Sequence, residues 1–279
     1  MSYFRTDAEA MHLAASEDGL HWLAVAGGAP VLTGSVGTRT LRDPFVTRAP
    51  DGVFHLLATD GWSSQGIVHA TSDDLLHWSE QTIVPVMANV AGTASCWAPE
   101  SFFDVEAGAH RVIWSSAVAP PCGPGGHRIW CASTPDFVAW SPPEMFFDPG
   151  FDVIDATVVR ADPGYLMAVK DERGQNRRGT SGKRIQVRSA PTAQGPWTDI
   201  SGPVTPELTE GPTLFRRGTV LTMFFDHFAE GRYGALESTD GRAWEPVEGS
   251  PTIPPGARHA TVLDVSDEVG RHLLALAVR

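Results

Sequence analysis

The 279-residue chain has few cysteines and no long apolar run. Its three cysteines, Cys96, Cys122 and Cys131, lack metal-ligand spacing. Reduced thiols are therefore the simplest interpretation, with a Cys122–Cys131 bridge as the alternative. No stretch of about 18 apolar residues could span a bilayer, and the segment 1–7 has no apolar signal-peptide core. These absences lead us to expect a cytoplasmic protein.

Basic residues are also scarce. Lysine and arginine number 21 against 33 aspartates and glutamates, which gives a formal net charge of −12. A surplus of negative charge disfavours binding to nucleic acid and to anionic membrane surfaces. It agrees with a neutral or cationic ligand.

A short unit that ends in tryptophan occurs five times. The copies are Ser16 to Trp22, Ser72 to Trp78, Ser133 to Trp140, Ser189 to Trp197 and Ser238 to Trp244, and their tryptophans lie 47–62 residues apart. This period suits repeated four-stranded sheets. A turn rich in Asp, Gly and Pro precedes each large ring, which predicts that the tryptophans pack between neighbouring sheets and do not stack on a ligand.

Runs of β-branched and aromatic residues predict four strands in each repeat, beginning with 42–46, 54–59, 66–71 and 78–86. The last repeat has only two predicted strands, at 258–263 and 272–278. Two N-terminal segments, 11–15 and the residues after Trp22, have no partners of their own. We therefore predict one all-β domain, 1–279, folded as a five-bladed β-propeller whose ring closes when the N-terminal strands pair with the C-terminal blade.

Ionisable residues occur near the start of the first strand of every repeat. In order, they are Asp43, Glu100, Asp155, Glu210 and His259. We expect them to occupy one phase of the repeat and to point into one funnel. An Asp or Glu beside proline often only starts a turn, but four converging carboxylates are costly and indicate chemistry.

Five motifs carry a resemblance to a known family. They are Leu41 to Phe45, Trp97 to Glu100, Ile154 to Thr157, Thr209 to Thr213 and Arg258 to Thr261. In this order and spacing, they resemble glycoside hydrolase family 43, a family of five-bladed propellers. Two departures are Ala156, where proline is common, and Gly211, where related fructoside-cleaving families have cysteine.

The resemblance implies an inverting exo-acting glycosidase of the α-L-arabinofuranosidase or β-xylosidase type. Asp43 would be the general base, Glu210 the general acid, and Asp155 the carboxylate that positions the acid and raises its pKa. Inversion needs an acid and a base about 6.5–9.5 Å apart. A nearby negative charge is expected to keep Glu210 protonated near neutral pH.

The remaining candidates are substrate contacts. They are Trp62, Trp97, Glu100, Lys170, His227 and His259. No cofactor is required, and the resemblance allows a structural calcium ion near His259. Two loops, 117–127 and 173–183, are expected to narrow the funnel, and the arginines of the second would either be solvated or recognise an anionic group.

Three functions fit these features. The first is a glycosidase acting on a small carbohydrate or glycoside. The second is a propeller that binds a glycan without cleaving it, and the third is a scaffold repurposed for a small-molecule biosynthetic reaction. Because related folds host different activities, the choice depends on the site itself.

Overall fold

The computed structural model describes residues 1–120, 126–180 and 182–277, and it is a five-bladed β-propeller. Blade I contains β4 (Arg42–Arg48), β5 (Phe54–Thr59), β6 (Ile67–Ser72) and β7 (Thr82–Val84). Blade II contains β8 (Trp97–Asp104), β9 (Ala109–Ala117), β10 (His127–Thr134) and β11 (Glu144–Phe147). Blade III contains β12 (Val153–Arg160), β13 (Tyr165–Asp171), β14 (Arg184–Ala190) and β15 (Thr198–Pro203).

The last two blades complete the ring. Blade IV contains β16 (Glu210–Arg217), β17 (Val220–His227), β18 (Arg232–Ser238) and β19 (Glu245–Pro246). Blade V contains β20 (Ala257–Thr261), β1 (Ser2–Arg5), β2 (Ala8–Ala15) and β3 (Leu23–Ala24), in that order from the axis. A 3₁₀ helix, Val25–Gly28, follows β3, and one α-helix, α1, covers Asp267–Ala277. The predicted architecture is confirmed.

Blade V closes the ring differently from the predicted arrangement. One C-terminal strand, β20, pairs with β1, so three strands come from the N-terminal part of the chain. The strand predicted at 272–278 is wrong, because its described part lies within α1. The apolar positions 269, 273 and 276 follow helical spacing, and Asp267 and Glu268 lie in the first turn, where a helix favours negative charge. Helix α1 packs against the core between blades V and I.

Five apolar clusters fill the spaces between neighbouring blades. Each repeat tryptophan belongs to or packs against one of them: Trp22, Trp78, Trp140, Trp197 and Trp244. In four of the five copies, the indole N–H donates to the carbonyl three residues earlier, over 3.0–3.2 Å. The prediction that these rings are structural is confirmed.

In the described residues, no helix is both long and apolar enough to cross a membrane.

Candidate active site

The innermost strands share a bulge that brings side chains to the axis. In each of them, two residues oppose one on the neighbouring strand, and the first of the two has a positive φ. These first residues are Asp43 (48°), Ala98 (47°), Asp155 (54°), Gly211 (54°) and His259 (41°). The left-handed backbone conformation is costly for residues other than glycine. Because it recurs in all five blades, this bulge is a shared structural element of the ring.

This register corrects the sequence alignment of the repeats. Asp43, Asp155 and His259 do occupy one position, as predicted. Glu210 lies one residue before the bulge, at the position of Arg258 in blade V, and Glu100 lies two residues after Ala98. The expectation of one common phase is therefore wrong for the two glutamates.

Asp43 is held by a hydroxyl and a histidine. The Thr59 hydroxyl donates to Oδ2 of Asp43 over 2.7 Å, and Nδ1 of His259 lies 3.4 Å from Oδ1. Thr59 Oγ1 also accepts a 2.7 Å hydrogen bond from the backbone N–H of Ala98. The carboxylate is thus oriented by groups from blades I and V.

Asp155 connects three blades. Its backbone N–H donates to the Ser115 hydroxyl over 3.1 Å, and its Oδ2 accepts the backbone N–H of Gly211 over 3.1 Å. Gly211 suits this approach, since a Cβ there would lie 3.0 Å from the ring of His259. Burial raises the pKa of Asp155 to about 6, although His259 and Lys170 act against this shift.

Glu210 lies between two cations. Lys170 Nζ donates to Oε2 over 2.9 Å, and Arg258 Nη2 donates to Oε1 over 2.8 Å. Burial raises the pKa of Glu210, but Lys170 and Arg258 outweigh it and leave the pKa below the usual value. The expectation that Glu210 is protonated near neutral pH is wrong for the free protein, because cations contact both oxygens.

Glu100 and His259 lie on the innermost strands, and both are buried. Glu100 is 5% exposed, and burial raises its pKa to about 8, partly offset by a hydrogen bond with Thr157. Burial also lowers the pKa of His259, but the neighbouring carboxylates, Asp43 first among them, outweigh it and raise the pKa overall. Glu100 is therefore largely neutral at pH 7, and its burial disfavours the predicted contact with substrate.

An aromatic group lies at the site end of blades I and II. Trp62 is 63% exposed, and its ring meets Trp97 edge to face at 5.7 Å. Trp97 stacks on His127 at 4.6 Å and donates its indole N–H to the Trp62 carbonyl. The guanidinium of Arg42 lies 4.3 Å from the Trp62 ring centroid. Trp62 thus presents a fixed, accessible face to solvent.

Two other predicted contacts have different surroundings. The Lys170 side chain is 3% exposed and pairs with Glu210 and Glu172. His227 lies beside Phe225 at 5.2 Å, and burial and the nearby Arg232 lower its pKa. The structure therefore places Lys170 within the site and His227 beside it.

Sequence reasoning assigned no role to Arg258 or to Asp226. Arg258 bridges the two acids, with Nη2 on Glu210 and Nε on Asp226 over 2.5 Å. The available signal was that Arg258 precedes His259 as Arg42 precedes Asp43. Burial raises the pKa of Asp226 to about 6, although Arg258 acts against the shift.

The 173–183 loop carries several basic residues, and three of them form ion pairs. Arg173 pairs with Asp171, Arg178 with Glu230, and Lys183 with Glu172. These pairs favour a structural role over recognition of an anionic group. Cys122 lies in the segment 121–125, outside the described residues, so a Cys122–Cys131 bridge and the narrowing of the funnel by the 117–127 loop stay predictions.

Within the described ranges, no group of three or more His, Cys, Asp or Glu side chains is arranged to hold a metal ion. Calcium takes six to eight oxygen ligands. The structural calcium ion that the resemblance allows near His259 stays a prediction.

Residues 1–269 match a family related to glycoside hydrolase family 43 and described as a probable glycosyl hydrolase domain. The chain belongs to this family, which confirms the resemblance found in the sequence.

Individual relatives agree with this assignment. An α-L-arabinofuranosidase of Bifidobacterium longum subsp. longum is 28% identical over 204 residues, which is 62% of this chain and 19% of that protein. The chain thus spans about a fifth of the length of this curated relative. A thermostable family-43 glycoside hydrolase has a TM-score of 0.66 at 17% identity, covering 82% of this chain and 80% of its own. An α-L-arabinofuranosidase from Lactobacillus brevis has a TM-score of 0.62 at 18% identity, covering 81% and 79%.

Proposed function

We propose that the protein is an inverting, exo-acting glycoside hydrolase that removes terminal arabinofuranose or xylose units from short oligosaccharides or glycosides. One observation carries this proposal: carboxylates from blades I, III and IV meet around the axis, and Asp155 bonds to the residue after Glu210. The arabinofuranosidases among the similar proteins support a pentose substrate.

Asp43 is the general base in this proposal. Thr59 occupies one of its oxygens, and the side chain is 12% exposed. A carboxylate with a fixed orientation and an accessible lone pair can take a proton from a water molecule while that water attacks the anomeric carbon. His259 would hold the carboxylate in this orientation.

Glu210 is the general acid in this proposal. The side chain of Glu210 is 23% exposed, whereas Asp155 is 7% exposed. A ligand can therefore reach Glu210 more easily than Asp155. Glu210 would protonate the leaving oxygen, and Asp155 would fix the start of β16 through Gly211. An acid on one side of the sugar and a base on the other produce inversion.

A substrate screen tests the proposal. Wild type, Glu210→Gln and the exposed control Glu248→Gln would be assayed with aryl α-L-arabinofuranoside, β-D-xyloside and β-D-galactoside. We expect pentoside turnover that falls at least about 100-fold in Glu210→Gln only. Proton NMR of the first product should show the inverted anomer. Turnover of the galactoside alone, or a retained anomer, would contradict the proposal.

A non-hydrolytic glycan-binding propeller is the second candidate. The observation favouring it is that two cations hold Glu210 ionised, a state unable to donate a proton. Such a protein would bind pentosides with equal affinity in wild type and Glu210→Gln and would cleave none. Neither binding nor turnover would instead favour a repurposed small-molecule enzyme.

A further inference from the structure

A chain of alternating charges leads from the 173–183 loop to the axis of the ring. Each member contacts the next at salt-bridge distance, in the order Lys183, Glu172, Lys170, Glu210, Arg258 and Asp226. The chain crosses from blade III to blades IV and V. Lys170 is its most buried cation, with 3% of the side chain exposed.

Lys170 has two acceptors within reach. Its Nζ donates to Glu210 Oε2 over 2.9 Å and lies 2.8 Å from Glu172 Oε2. The ammonium group of Lys170 therefore contacts both carboxylates, and the buried Oε2 of Glu172 is an acceptor that remains available to Lys170 when the contact with Glu210 is broken.

The contact between Lys170 and Glu210 opposes acid catalysis. A general acid must carry a proton, whereas a carboxylate with a cation at each oxygen favours the ionised form. The titratable and charged groups that face Glu210 come from five strands. They are Lys170 (β13), Arg258 and His259 (β20), Asp155 (β12), Asp226 (β17) and Tyr233 (β18).

We propose that Lys170 is a positioning residue that shifts its hydrogen bond from Glu210 to Glu172 when a glycoside enters, so that productive binding takes up one proton. This inference rests on the proposed role of Glu210 as the acid. The proton comes from solvent and is passed to the leaving oxygen. The attacking water gives its hydroxyl to the anomeric carbon and its proton to Asp43, which then releases it to solvent.

The first experiment needs no substrate. The side-chain carboxyl carbon of Glu210 would be titrated by NMR in ¹³C-glutamate-labelled protein and assigned by its loss in Glu210→Gln. Removing a contacting cation in Lys170→Met should raise the pKa of Glu210 by about one unit or more. The control Lys183→Met, which removes a cation that pairs with Glu172, should leave it unchanged. Equal pKa values in wild type and Lys170→Met would overturn the inference.

The second experiment counts protons. In an Asp43→Asn background, which should bind without turnover, 4-nitrophenyl α-L-arabinofuranoside would be titrated calorimetrically at pH 7 in two buffers of different ionisation enthalpy. We expect uptake of about one proton per bound molecule and none when Glu210→Gln is added. Binding without proton uptake in the Asp43→Asn protein would also overturn the inference.

A further variant covers the case in which Lys170→Met fails to fold. Glu172→Gln removes the charge of the second acceptor, so binding of the same probe should weaken about tenfold while Glu210 stays ionised. Unchanged binding would count against the shift of Lys170. If the wild type cleaves no pentoside but Lys170→Met still raises the pKa of Glu210, only the proposed function fails. If the wild type cleaves a pentoside but Lys170→Met leaves the pKa of Glu210 unchanged, only the inference about Lys170 fails.

Discussion

The backbone N–H of Gly211 donates a 3.1 Å hydrogen bond to Oδ2 of Asp155. This bond crosses from blade III to blade IV and fixes the backbone next to Glu210. Asp155 is 7% exposed, so its carboxylate is desolvated while it holds the neighbouring blade. Asp155 therefore holds the backbone beside Glu210 in place through its bond to Gly211.

Asp155→Asn should raise the stability of the protein and lower its activity. Burial raises the folded-state pKa from 3.8 to about 6. The folded protein therefore binds more protons between these values, and the free energy of unfolding falls as the pH rises through this window. The variant should melt higher than wild type at pH 8, with a smaller gain at pH 4, and lose about 100-fold in kcat/KM. Calorimetry with the exposed control Asp162→Asn checks this, and a gain independent of pH would contradict it.

Glu100→Gln should leave the active site intact. Burial raises the pKa of Glu100 from 4.5 to about 8, so its contribution to the free energy of unfolding falls as the pH rises from 4.5 to 8. Glutamine resembles the neutral acid. We expect a higher melting temperature than wild type at pH 9, equal values at pH 4, and an unchanged KM for a pentoside. A raised KM with unchanged stability would show that Glu100 contacts substrate, and Glu106→Gln is the exposed control.

Trp62→Ala should weaken substrate binding. The ring is 63% exposed and held by Arg42 and Trp97, so it can pack against a sugar without reorganisation. Loss of such a contact is worth about 1 kcal/mol, which corresponds to a KM increase of roughly fivefold to tenfold at constant kcat. Val138→Ala, at a position that is 82% exposed in the blade II turn, serves as the control. An unchanged KM would exclude Trp62 from the binding surface.

A histidine cluster between blades I and II should make the fold sensitive to acid. His55 and His69 hydrogen-bond at 3.0 Å, and neither ring nitrogen of the buried His110 has a described partner. Burial lowers the pKa of His110 and brings that of His69 to about 4. The unfolded chain therefore binds more protons below pH 6.5, and the free energy of unfolding falls as the pH drops towards 4.

His110→Phe tests this sensitivity. Phenylalanine can pack against Phe103 and Phe137, which lie 5.2 and 4.7 Å from the His110 ring, and it cannot be protonated. Urea unfolding should show a larger gain in stability at pH 5 than at pH 8. The exposed control His272→Gln should show no such difference. An equal gain at both pH values would point to packing alone.

The propeller could be predicted because its signals are local and repeated. Each Asp-containing turn and tryptophan lies within a few residues of sequence. The register of the two glutamates was harder to predict. The prediction placed Glu100 and Glu210 at the repeat position of Asp43 and Asp155 because all four are acidic. Pro44, Pro99 and Pro212 instead share one bulge position, and aligning these prolines would have placed Glu210 one residue earlier.

The charge pairs were beyond this kind of reasoning, whereas helix α1 was missed although the sequence carried a signal for it. Lys170 and Glu210 form an ion pair although they are 40 positions apart in the sequence. No local sequence pattern predicts which cation pairs with which carboxylate over such a separation. The apolar segment near the C-terminus is short, and such segments fit a strand or a helix equally well. Helical spacing from Val269 was the signal that favoured the helix.

The pairing of β20 with β1 also governs the order in which the molecule can be assembled during synthesis. Thr261 meets Ser2 through a 2.9 Å hydrogen bond across 259 positions of sequence, whereas the strands within blades I to IV are near neighbours along the chain. Blades I to IV can therefore form as they leave the ribosome. The inner edge of β1 stays unpaired until β20, Ala257–Thr261, has been made. During this interval β1 presents backbone N–H and C=O groups that could pair with a strand of another chain.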